Sequence, residues 1–160
     1  MPHKNKTNAM RMLENAGIPY KCIEYPHDEG VAVDGRTVAL MLGEEETSVF
    51  KTLVTVGNSR NHYVFVVPVA KELDLKAAAR AVGEKSVEMV QVSELLKLTG
   101  YIRGGCSPVG MKKTYVTVID ASARDQEYIY VSAGKIGLQV RLAPKALADL
   151  TKAVFVEITK

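Results

Sequence analysis

Apolar positions along the chain recur with two periods, which divide it into short helices and strands. Ala9, Leu13 and Ala16 recur at helical spacing, with Thr7 or Asn5 able to cap the helix and Gly17 supplying a left-handed stop. Lys21 to Tyr25 reads as a short strand, ended by Pro26 and the turn-forming His27-Asp28-Glu29-Gly30. A second helix is predicted from Asp34 to Leu42, stopped by Gly43. The acidic Glu44-Glu45-Glu46 after it reads as a solvated loop or a first helical turn. Val49 to Val56 and His62 to Val67 are rich in strand formers, and the polar Gly57 to Asn61 between them predicts an antiparallel hairpin.

Leu73 to Val82 reads as an alanine-rich helix closed by Gly83. Val87 to Val92 reads as a strand, followed by a short helix capped by Ser93 and ended at Gly100. Strands are predicted at Tyr115 to Asp120, Tyr128 to Ser132 and Leu138 to Leu142. Pro144 suits the first turn of a helix to Leu150, and Val154 to Ile158 is a last strand. The strands come in runs, not in strict alternation with helices, and neither repeat nor linker interrupts them. The pattern predicts one α+β domain over residues 1–160, built on a mixed, strongly curved sheet surrounded by helices, and leaves open whether that sheet closes into a barrel.

Composition narrows the class. Apolar residues are 47% of the 160 and charged ones 24%, a balance that supports a folded core. The longest apolar run, Tyr63 to Ala70, is too short to cross a bilayer, and the first eight residues carry no apolar leader. A cytoplasmic protein without membrane contact is expected. Cys22 and Cys106 are far apart and read as reduced thiols. His3, His27 and His62 show no ligand spacing, so neither metal nor cofactor is expected. A net charge of +3 is compatible with an acidic partner and equally with an ordinary solvated surface.

Three segments carry candidate chemistry. Gly100 to Gly110 holds four glycines and a proline in eleven residues, a composition that lets backbone N–H groups approach a ligand or simply makes a turn. Val131-Ser132-Ala133-Gly134-Lys135-Ile136-Gly137 joins two strands. Gly134-Lys135 is reminiscent of a Walker loop, but Ile129 stands where its first glycine belongs and Ile136 replaces its Ser/Thr. Within Phe50-Lys51-Thr52-Leu53, Lys51 interrupts an apolar strand while Thr52 points to the opposite face. A solvated edge lysine and a functional cation are both open readings there. Cys106 looks like a nucleophile in its glycine-rich loop, yet no histidine near it in sequence could ionise it, so a small apolar filler is expected.

Taken together, these segments resemble the YbaK family, relatives of the editing domain inserted in prolyl-tRNA synthetases. The resemblance runs through Glu24-Tyr25-Pro26-His27-Asp28, Phe50-Lys51-Thr52-Leu53, Leu73-Asp74-Leu75-Lys76, Val87-Glu88-Met89, Thr99-Gly100-Tyr101 to Gly110, and Tyr130-Val131-Ser132 to Leu138. It implies a barrel-like sheet around a pocket, and metal-independent hydrolysis in trans of aminoacyl-tRNA, above all Cys-tRNA(Pro). It also implies the acceptor end of tRNA(Pro) as partner, with prolyl-tRNA synthetase presenting the mischarged end. Matched position by position, it points to Lys51, Gly104 and Gly134 as catalytic, and to Tyr25, Thr52, Gly105 and Ser132 as substrate-binding. Some relatives carry an acid where this chain has Gln139. Arg103, Lys112, Lys113 and Lys135 could contact acceptor phosphates. Editing of another small aminoacyl group such as alanine, a non-catalytic binding module for aminoacyl-tRNA ends or nucleotides, and a regulatory protein that has lost the activity are the alternatives.

Overall fold

Capping groups and apolar spacing together set the helices. The computed structural model describes residues 6–160. Helix α1 spans Asn8–Asn15, where the Thr7 hydroxyl accepts the Met10 N–H at 3.2 Å while Ala9, Met10 and Leu13 face the core. The alternative cap, Asn5, and the other residues of 1–5 lie outside the described residues. Helix α2, Gly35–Leu42, begins at Asp34, whose carboxylate accepts the Arg36 and Thr37 N–H groups, and Gly43 ends it in the left-handed conformation. The acidic run beyond it is tied down at two points. Glu44 accepts the Tyr130 hydroxyl at 2.8 Å and Glu46 pairs with Arg36 at 3.1 Å.

Helix α3, Leu75–Val82, starts two residues later than the hydrophobic pattern predicts. Asp74 takes the cap position and Leu73 instead bridges Thr159. Helix α4, Val92–Thr99, places Ser93 within its first turn; Gln91 stands at the cap and makes no side-chain bond there. Helix α5, Pro144–Thr151, carries its proline in the first turn.

The strands are β1 (Lys21–Glu24), β2 (Phe50–Gly57), β3 (His62–Pro68), β4 (Val87–Met89), β5 (Val116–Asp120), β6 (Ile129–Ser132), β7 (Leu138–Leu142) and β8 (Val154–Val156). The hairpins β2–β3 and β6–β7 form as the turns predict. The mixed α+β class holds, but not as one barrel-like sheet. A five-stranded mixed sheet has the order β4-β2-β3-β5-β8, and a three-stranded antiparallel sheet has the order β1-β7-β6. Asp120 explains the break. Its carboxylate accepts the Ser122 and Ile158 N–H groups, so the chain turns out of the first sheet after β5 and β6 pairs elsewhere. A parallel bridge between Val49 and Tyr130 links the two sheets.

The main core lies between the sheets. It gathers Met10 and Leu13 from α1, Phe50 and Val54 from β2, Ile129 and Val131 from β6, and Val140 and Leu142 from β7. Because strand side chains alternate, Tyr130, Ser132, Gln139 and Arg141 are left on the opposite face of the smaller sheet. That face looks towards the bridge, α2 and a cavity.

Candidate active site

A cavity of about 630 Å³ opens where β2, the smaller sheet, the start of α2 and the glycine-rich loop converge. The bridge sets its geometry. With Val49 beside Tyr130 in parallel, Ser132 falls two residues further on, level with Lys51, and the register of the hairpin then puts Gln139 beside Ser132. Tyr25, Lys51, Thr52, Gly104, Ser132 and Gln139 all line this one space. Three distant segments of the sequence are thereby brought to a single site. Asp34, Arg103 and Cys106 line it as well.

Lys51 makes no ion pair or hydrogen bond among the described residues, so its ammonium is available to an anionic or oxygen-rich ligand. Gly104 holds φ +86°, and a Cβ there would meet the Ala32 Cβ at 2.7 Å and its Cα at 3.0 Å. Only glycine lets these two loops close at that point. The Gly104 N–H donates to no group among the described residues, unlike its neighbour: the Gly105 N–H is committed to the Ile102 carbonyl at 2.9 Å.

Gly134 and Gly105 stand outside the residues that line the cavity. The Gly134 N–H already donates to Ser132 Oγ at 3.1 Å, so it is not available to a developing oxyanion. Gly134 holds φ +99° with the Tyr101 ring against it, where a Cβ would sit 2.8 Å from Cε1. A Cβ on Gly105 would lie 3.0 Å from the Ile136 nitrogen. These two glycines therefore let the loop of residues 100–110 press against the β6–β7 turn. Within that loop the Tyr101 hydroxyl donates to the Val109 carbonyl at 2.6 Å, and the hydroxyl of Thr7, the cap of α1, donates to the Ala133 carbonyl in the turn.

Cys106 is buried, and burial pushes its thiol up to about 12 despite a hydrogen bond with Thr99. With almost no thiolate near neutrality it cannot serve as a nucleophile. Among the described residues no cluster of three or more His, Cys, Asp or Glu could hold a metal ion. Asp34 is ionised at the rim. A hydrogen bond from the Thr37 hydroxyl at 2.6 Å, two backbone N–H groups and the Arg36 charge together lower its pKa, against the opposing effect of burial. The sequence marked Asp34 only as the start of a helix; its place at the cavity follows from Gly35 packing on Val69, which depends on tertiary contact.

Two buried oxygens of the wall lack partners. Neither Thr52 Oγ1 nor Gln139 Oε1 has a hydrogen bond. Such a group costs about 1–3 kcal/mol when left unmet, and folds usually avoid it.

Comparison with known proteins places this geometry. The model of a family described as the aminoacyl-tRNA editing domain matches residues 32–150. A protein of Enterococcus faecalis named as a Cys-tRNA(Pro)/Cys-tRNA(Cys) deacylase, EbsC, is 49% identical over 156 residues, covering 98% of this chain and 94% of its own. Among solved structures, one described as a trans-editing enzyme for prolyl-tRNA synthetase superposes with a TM-score of 0.83 at 27% identity, over 96% of this chain and 95% of that one. A hypothetical protein superposes at 0.86 with 22% identity, over 96% of this chain and 100% of that one, a likeness of fold.

Proposed function

Because the chain belongs to the aminoacyl-tRNA editing-domain family, we propose that it is a trans-acting deacylase that hydrolyses mischarged Cys-tRNA(Pro), its residues 1–160 working as one editing domain in the cytoplasm. One observation carries the mechanism. The cavity holds an unpaired cation and a free backbone donor, yet its one thiol is buried and protonated. A site without its own nucleophile suits a substrate that brings one.

The thiol of the esterified cysteine attacks its own carbonyl carbon. A C–S bond forms, the carbonyl oxygen takes the negative charge, and collapse breaks the C–O bond to the ribose. The thiol proton ends on the ribose oxygen, and water opens the cyclic thioester to free cysteine. Well-oriented intramolecular attack reaches effective molarities of about 10⁵ M or more. The protein then has to orient the ester and stabilise the oxyanion. The Gly104 N–H is the donor for that charge, worth roughly 3–4 kcal/mol. Lys51 binds the phosphate or adenosine of the acceptor end, and Thr52, Ser132 and Tyr25 form the walls against which the aminoacyl-ribose is held. Gly134 acts at one remove, by fixing the Ser132 oxygen, and Gly105 acts by seating the loop. Prolyl-tRNA synthetase is the natural source of the mischarged end, and association with it would give the tRNA selectivity that this small chain lacks.

The Cys106→Ala variant tests the choice of nucleophile. Release of cysteine from Cys-tRNA(Pro) is expected within about twofold of the wild-type rate, since a protonated thiol contributes nothing to attack. A folded Cys106→Ala protein that has lost deacylation would overturn substrate-assisted attack.

A further inference from the structure

The two unpartnered oxygens share one cavity, and elsewhere buried polar side chains are met. Thr55 donates to the Tyr63 carbonyl, Thr99 to the Leu95 carbonyl, and Asp120 accepts two N–H groups. Gln139 is only 5% exposed, so solvent does not reach its amide oxygen, and that oxygen can only accept. Thr52 Oγ1 is likewise shielded. It lies on the face of β2 that carries Phe50 and Val54, neither of which offers a donor. The site is therefore built to receive a donor from a ligand.

An aminoacyl ester offers three kinds of donor. The ribose hydroxyl both donates and accepts, and the thiol donates weakly. The α-ammonium carries three N–H donors and accepts nothing, which fits the Gln139 oxygen, a buried group that can only accept. Charge supports the match. A carboxylate at position 139 would be drawn to the Lys51 ammonium across the cavity, whereas the neutral amide leaves Lys51 unpaired and keeps its own oxygen free.

Resting on the deacylase reading, we propose that Gln139 holds the α-ammonium of the aminoacyl group and makes this cavity selective for esters with a free amino group. The probes are Cys-tRNA(Pro) and 3-mercaptopropionyl-tRNA(Pro), which keeps the thiol and lacks the amine. Since the ammonium also activates the ester chemically, each variant is compared with wild type on the same substrate. Gln139→Met, close in shape but without an acceptor, is expected to lose about 10- to 100-fold in kcat/KM on the cysteinyl ester. On the amino-free ester it should stay within about twofold of wild type. Gln139→Leu, which also removes the acceptor, should show the same selective loss and carries the test if Gln139→Met does not fold. Equal losses on both substrates, or no loss on the cysteinyl ester, would overturn the assignment while leaving the deacylase reading intact. Failure of the wild-type protein on both substrates would instead remove that reading, and this inference with it.

Discussion

At the scale of single residues, the site depends on what three backbone positions permit more than on reactive side chains. Gly104 is the tightest of them. Its left-handed backbone and its contact with Ala32 leave no room for a methyl group, so Gly104→Ala must displace one loop from the other. Displacement of a transition-state donor by about 1 Å costs about 10²-fold in rate. A loss of that order in kcat, accompanied by a lowered melting temperature from the strained backbone, is the expected outcome; unchanged kcat in the folded variant would remove the Gly104 N–H from the mechanism. Much of this was legible in the sequence, because glycine density and an interrupting lysine are local signals. What could not be read was hydrogen-bond commitment. Gly104 and Gly134 look alike in a motif, but only the folded chain has the Ser132 hydroxyl oxygen accepting the Gly134 N–H. Gln139 was visible only as a departure from an acidic position, and its unmet oxygen depends on neighbours brought from β1 and β6.

Among the elements, α2 links stability to the site. Asp34 caps it with two backbone N–H groups and the Thr37 hydroxyl, and the same residue forms part of the cavity rim. Asp34→Ala should lower stability by about 1 kcal/mol at neutral pH. The sign of its pH dependence follows from the lowered pKa. The folded carboxyl ionises below the ordinary 3.8, so its contribution is present above that value and is lost as pH falls through the folded pKa. Wild type and variant should therefore converge in thermal stability on acidification below the ordinary carboxylate range; a difference undiminished by acidification would show that the cap acts otherwise. Helix ends of this kind were readable wherever a cap and a glycine flanked an apolar period, as in α2. They were misread where tertiary pairing intervened. Leu73 left α3 to bridge Thr159, and Gln91 displaced Ser93 from the cap of α4.

Over the whole molecule, the division into two sheets makes the cavity possible. One curved sheet is the expectation from strand order, and the family resemblance implies a barrel-like one, since no periodicity records which strands pair across a turn such as Ala121–Ala123. The break after Asp120 lets the smaller sheet turn its polar face, with Ser132 and Gln139, towards Lys51 on the larger one. Core residues occupy the other faces, so the site sits where the two sheets stop sharing hydrogen bonds. The central claim is that this junction deacylates Cys-tRNA(Pro) with Lys51 holding the acceptor end. The measurement that tests it most directly is release of labelled cysteine from Cys-tRNA(Pro) by the wild-type protein and by Lys51→Ala. Rapid release by the wild type, with a loss of about 10²-fold or more in the variant, is the predicted result. Equal release by both proteins, or none by the wild type even with prolyl-tRNA synthetase added, would contradict it.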